Sequence, residues 1–253
     1  GAELSNIGRD TWLIEITGGP GQDCDDCIDY TFYNLTDIFV PALLNGVLDF
    51  TGKDNLQYVG FSNGCRAGLD SLERNQFDSN KIETFVAVGC PGAFEGTNLF
   101  LSLIRLNDGQ VFQKLRNKGI NHATFSEIAL ITLVNENFIK DKGGKISSNL
   151  WKFYEEIILS DNDSQPGNIN VSHFNIIQGS ALGDNDGIVL VKDESKIYEN
   201  ANKFSNKKKR FDVFAIHLTL DDNSRAKSII TKTLNKQELS FYEKSINLIN
   251  QSD

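Results

Sequence analysis

Along the first third of the chain, short apolar runs alternate with stretches whose apolar positions recur every three or four residues. Residues 12–17 form an apolar, β-branched run that predicts a strand and stops at the breaker cluster Gly18-Gly19-Pro20-Gly21. Leu35, Ile38, Phe39, Ala42, Leu43, Val47 and Phe50 then follow the period of a helix face. Pro41 falls inside that pattern and either kinks the helix or marks its first turn. Residues 56–61 predict the next strand, residues 63–74 a helix, and the largely apolar residues 82–89 a strand covered on both faces. This alternation predicts an α/β protein with a doubly wound, mostly parallel sheet.

From residue 95 to residue 166 the pattern turns helical, for example at 99–106, 125–138 and 150–159, with no clear strand between. Strands resume at 169–178 and 211–218, and an amphipathic helix is expected at 238–249. Helices inserted between two sheet strands form either a cap, and so a candidate lid, or helices packed on the sheet. The 253 residues suit one domain carrying that insertion, spanning 1–253, better than two independent cores.

Composition narrows the partners. A net charge of -9 argues against the clustered basic surface that nucleic-acid binding needs, and the one basic run, Lys207 to Arg210, reads as a solvated loop. No stretch reaches the roughly 20 apolar residues of a membrane span. The sequence has no methionine, so Gly1 is not expected to be a native start and the chain is expected to be a processed form or a fragment. The compartment is not legible directly; an extracellular, cell-envelope or lumenal one is favoured. Cys24 and Cys27 form a C-x-x-C within an acidic run, read as a loop disulfide or free thiols ahead of a metal site, because a second ligand pair is missing nearby.

The chemistry concentrates at Gly60-Phe61-Ser62-Asn63-Gly64, a G-x-S-x-G between a predicted strand and a predicted helix. A turn this tight strains the serine backbone and is expected to leave no room for side chains at the flanking glycines. It would hold Ser62 above the sheet edge, with the Asn63 N–H at the head of the following helix aimed where an oxyanion would form. Of the three histidines, His217 closes a strand, His173 sits inside one and His122 falls in the helical insertion; the last two suit structural roles.

These residues carry a resemblance. The run from Val47-Leu48-Asp49-Phe50-Thr51-Gly52 through Tyr58-Val59 to the Ser62 elbow resembles the bacterial lipase and esterase branch of the α/β-hydrolase family. Val86-Ala87-Val88-Gly89-Cys90-Pro91-Gly92-Ala93-Phe94-Glu95-Gly96-Thr97 is similar to the strand and following loop of those enzymes. Asp184-Asn185-Asp186-Gly187-Ile188-Val189 resembles their N-D-G-[LIV]-V segment, and His217-Leu218 their H-L pair. The likeness covers about residues 12 to 220, with the insertion matched only in position and helical character.

The resemblance implies an α/β-hydrolase fold, a catalytic set of Ser62, Asp186 and His217 in the family's chain order, and acyl transfer with no cofactor and no metal. Asp184 is the fallback acid, and a calcium-binding loop a third reading of that segment. The implied partner is a small-molecule or lipid ester; amides or thioesters would use the same groups, and a non-catalytic binding protein on the same fold is the remaining alternative. One part of the pattern departs. The family's early loop that donates a second oxyanion N–H has no H-G counterpart here. Either Gly19 supplies that donor, or an N-terminal segment or companion chain completes the fold.

Overall fold

A computed structural model describes residues 1–14, 31–92, 96, 102, 122–123, 146–147, 169–201 and 207–236. The first helix, α1 (Ala2–Asn6), is short, and α2 (Phe32–Asn34) opens on a capping box between Thr31 and Asn34. A π-helical turn, Leu35–Phe39, leads into α3 (Val40–Thr51). Pro41 lies in the first turn of α3, so of its two expected roles it takes the second. Proline has no N–H and crowds the carbonyl one turn back; the wider π turn, in which the Val40 N–H reaches the Leu35 carbonyl, relieves both.

The chain continues through β1 (Leu56–Phe61), α4 (Asn63–Glu73) and β2 (Ile82–Val88), matching the sequence expectation closely. After the two-residue strands β3 (His122–Ala123) and β4 (Ile146–Ser147) come β5 (His173–Gly179), α5 (Val191–Ala201), β6 (Lys207–Val213), α6 (His217–Leu220) and α7 (Ser224–Leu234). Among the described residues β1, β2, β5 and β6 form one sheet in the order β1-β2-β5-β6, every pair parallel.

Strand alternation sorts the core into two layers. Phe85, Ala87, Phe174 and Ile176 face the cluster that also takes Leu44 and Leu48 of α3, Leu69 and Leu72 of α4 and Ile197 of α5. Val86, Val88, Ile177, Phe211 and Val213 face the other, against Ala226, Ile229 and Leu234 of α7. Helices therefore cover both faces of the sheet, as expected of a doubly wound α/β unit.

Several expectations are corrected. Lys207 to Arg210 are not a loop but the first half of β6, which lies last in the order of the described strands; a lysine-rich strand deters further edge pairing. The strand expected at 211–218 thus begins earlier and ends at Val213, and His217 heads α6 instead of closing a strand. Trp12 to Ile14 are irregular, with Leu13 exposed, and the rest of that expected strand lies outside the described residues. Within the span read as helical, β3 and β4 pair antiparallel, so helices alone do not fill it and His122 sits on a strand. Apart from residues 96 and 102, the remainder of that span lies outside the described residues, as do the expected helix at 238–249 and Cys24 and Cys27. Helices α5 and α7 were not anticipated.

Candidate active site

Parallel strands deliver their carboxyl ends to one edge of the sheet, and ligand sites in open α/β sheets collect there. Ser62 follows β1, Gly89 follows β2, Asp186 lies in the loop after β5, and His217 comes four residues after β6 ends. Backbone bonds continue past the strands and tie these loops together: Ser62 N–H to Val88 carbonyl at 2.9 Å, Gly89 N–H to Ile177 at 2.9 Å, Ser180 N–H to Val213 at 3.0 Å, and His217 N–H to Asp186 at 2.8 Å.

Ser62 occupies φ 50, ψ −122, a conformation costly for a residue with a side chain. Space explains half of the glycine pattern around it. A Cβ on Gly60 would lie 2.5 Å from Cys65 Cα, so the strand can meet the helix only through a glycine. A Cβ on Gly64 would meet nothing within 4 Å, contrary to the expectation that both flanks are crowded. Gly68 is the second close approach, with the Tyr58 ring 2.8 Å from where its Cβ would be; Tyr58 in turn donates to the Gly64 carbonyl at 2.6 Å. Burial pushes the Tyr58 phenol well above its ordinary range, so it remains a donor.

His217 Nε2 stands 2.8 Å from Ser62 Oγ, and His217 Nδ1 stands 2.7 Å from Asp186 Oδ2. The other carboxylate oxygen, Oδ1, accepts the N–H groups of Ile188 and Val189 at 3.0 and 2.7 Å. His217 is 4% and Asp186 1% exposed, so their contact is dry. Phe61 stacks on the imidazole at 5.1 Å between centroids. Two more glycines make room for the pair: a Cβ on Gly89 would lie 3.2 Å from the His217 ring, and one on Gly179 would lie 2.6 Å from Asp186 Cβ. Asp184, the fallback acid, is exposed and bonds to Asn185.

Asn63 heads α4, where the first N–H groups of a helix have no intrahelical acceptor. The other oxyanion candidate, Gly19, lies outside the described residues. Among the described residues no cluster of His, Cys, Asp or Glu has the makings of a metal site, and no helix is long and apolar enough to cross a membrane.

Three features around the site went unread in the sequence. Cys65, in the first turn of α4, forms a disulfide with Cys90, which follows Gly89. Arg66, 1% exposed, donates to Asp70 Oδ2 at 2.8 Å and to the Gly92 carbonyl at 2.6 Å, clamping the loop after β2 to the elbow helix. Burial pushes the Asp70 carboxyl upward while the Arg66 charge pulls it back. Glu194 of α5 is wholly buried and accepts the Cys90 N–H at 3.0 Å. A signal existed for the first of these, since an even cysteine count placed Cys65 and Cys90 just beyond two neighbouring strands.

No family model matches the chain. A 93-residue stretch is 27% identical to the gastric triacylglycerol lipase of Rattus norvegicus, covering 34% of this chain and 24% of that protein. The matched stretch thus spans about a quarter of the lipase. Solved structures that it resembles include an epoxide hydrolase from Vigna radiata (TM-score 0.49, 13% identity, 88% of this chain and 81% of that one). Another is a lipase-esterase related protein from Clostridium acetobutylicum (TM-score 0.45, 19% identity, 85% and 79%). What decides the fold is the chain itself: four parallel strands with helices on both faces, and a strained serine elbow between β1 and α4. The chain has the α/β-hydrolase fold. That fold accounts for the meeting of Ser62, Asp186 and His217 at one sheet edge although they are far apart in the chain.

Proposed function

We propose that the chain is a serine hydrolase of carboxylic esters, lipase- or esterase-like, acting through an acyl-enzyme. The observation that carries this reading is the unbroken hydrogen-bond path from Ser62 Oγ through the His217 imidazole to Asp186, set on a strained elbow. His217 Nε2 takes the Ser62 proton as Oγ attacks the ester carbonyl, and Asp186 orients the ring and stabilises the imidazolium. The tetrahedral oxyanion meets the Asn63 N–H, with Gly19 the candidate second donor. The imidazolium gives its proton to the departing alkoxide, and the ester bond breaks. His217 then activates a water, whose attack releases the acid and restores Ser62.

Exposed apolar side chains favour acyl substrates over small polar ones. Phe214, Ile216 and Leu218 flank His217 and stay exposed, as does Leu182 in the Asp186 loop, while Ala215 and His217 between them are buried. The insertion expected at residues 95–166 is the candidate lid of such an acyl site. The test is hydrolysis of p-nitrophenyl esters of increasing acyl length, with labelling by a fluorophosphonate probe. Ser62→Ala is expected to lower kcat about 10⁶-fold and abolish labelling. Equal rates in the variant and the parent chain would remove Ser62 from the mechanism.

A further inference from the structure

A further acidic group lies beside this site. Glu194, in the first turn of α5, is 0% exposed. Its Oε1 accepts the Cys90 N–H at 3.0 Å, and its Oε2 is buried without a hydrogen-bond partner among the described residues. Among the described residues the charged groups acting on it are acidic: Asp186 from the loop after β5, Asp212 from β6 and Asp193 from α5 itself. A carboxylate buried against three acids, with a single N–H and no cation among the described residues, would go uncompensated, and such a group keeps its proton instead. Burial first, and the Asp186 charge second, hold the Glu194 carboxyl well above its ordinary range. Asp186 is differently placed, since two backbone N–H groups and the His217 ring surround its oxygens.

The group that Glu194 holds is not remote from the chemistry. Cys90 is disulfide-bonded to Cys65, three residues after Ser62. The residue before it, Gly89, lies against the imidazole so closely that a Cβ there would stand 3.2 Å from the ring. Fixing the Cys90 N–H therefore fixes the turn on which His217 rests.

Resting on the proposed Ser62–His217–Asp186 mechanism, we propose that Glu194 is a positioning residue that works as an uncharged acid. It pins the Cys90 N–H so that the Gly89–Cys90 turn holds His217 in line with Ser62, and it leaves the negative charge beside the imidazole to Asp186.

Leucine has a similar volume and no acceptor, whereas glutamine keeps an acceptor and can never ionise. Glu194→Leu is expected to lower kcat for a p-nitrophenyl ester by roughly ten- to a hundredfold with little change in KM, as an unpaired buried N–H lets the turn shift. Glu194→Gln is expected to recover most of that kcat, with the acid limb of its pH–rate profile superimposed on the parent's. In the infrared spectrum of the parent at neutral pH, a C=O stretch of a protonated carboxyl is expected that is missing from Glu194→Gln. That band needs no activity, so it reports on Glu194 even where Ser62→Ala has overturned the esterase reading or Glu194→Leu does not fold. Loss of the acid-limb match, with the Gln profile moved to lower pH, would mean that a charged Glu194 had been acting on the imidazole, and the proposal would fall. Absence of the protonated band, or no kcat difference between the Leu and Gln variants, would overturn it equally.

Discussion

At Gly60 and Gly64 the same residue type meets two different demands. The Gly60 position faces the backbone of Cys65, and backbone cannot swing aside as a side chain does, so a methyl group there must push β1 away from α4. Gly64 sits in the first turn of α4 with open space around it, and alanine restricts the unfolded chain more than glycine. Gly60→Ala is expected to cost about 3 kcal/mol and to abolish fluorophosphonate labelling. Gly64→Ala is expected to be neutral or to stabilise by up to about 1 kcal/mol. Urea midpoints of the two variants check this, and a Gly64→Ala loss as large as that of Gly60→Ala would contradict the spatial reading. Ser62 between them was legible in sequence because the elbow motif states both the residue and its local backbone. The difference between its flanking glycines was not, since it depends on where Cys65 and Tyr58 come to rest.

Two features at this scale bear on the site, and both depend on tertiary placement. The Cys65–Cys90 bridge joins the elbow helix to the end of β2 and closes a loop with a separation of 25 residues. Cys65→Ala with Cys90→Ala is expected to lower stability by about 3 kcal/mol, read as a fall in the urea midpoint; an unchanged midpoint would mean that β1, β2 and α4 already hold this geometry alone. The apolar rim after β6 gives a second expectation. Phe214 is 79% and Leu218 65% exposed, so replacing either with serine costs the fold little. For a long-chain p-nitrophenyl ester, KM is expected to rise roughly tenfold, the worth of one or two buried methylenes, while the acetyl ester is unaffected. A parallel rise for both esters would remove the rim from acyl binding. Strands β1 and β2 were readable because their apolar runs are nearly pure and end at turn signals. The first half of β6 was not, because Lys207 to Arg210 lie on the last of the described strands, where polar residues are tolerated. Helices α5 and α7 escaped for a related reason: each buries only a few apolar positions, such as Ile197 and Ala201 or Ala226, Ile229 and Leu234, among many charged ones. Asp186 was singled out through resemblance, and its two backbone donors show that this loop suits an ionised carboxyl.

Over the whole molecule, the sheet gathers Ser62, Asp186 and His217 at one edge, and the same geometry brings acidic groups together in the interior. Asp186, Asp193 and Glu194 are all buried there, in a chain whose net charge is already -9. This makes folding stability depend on pH in a direction opposite to that of a salt-bridged carboxylate. Glu194 keeps its proton in the folded chain at pH values where the unfolded chain, with an ordinary glutamate near 4.3, has released it. The folded state then binds more protons than the unfolded state, so the Glu194 contribution to stability falls as pH rises. That fall begins near the unfolded value and continues until the raised folded value is passed. Glutamine has no proton to release and escapes it. The stability of Glu194→Gln relative to the parent is therefore expected to be flat below about pH 4 and to climb above it, by at most about 1.4 kcal/mol per pH unit. Urea unfolding of both proteins at several pH values from about 3.5 to 8, spanning the unfolded glutamate value and neutrality, measures the difference directly. A difference that stays constant over that range, or one that favours the parent as pH rises, would show that Glu194 is ionised in the folded chain and that its charge is balanced by a cation.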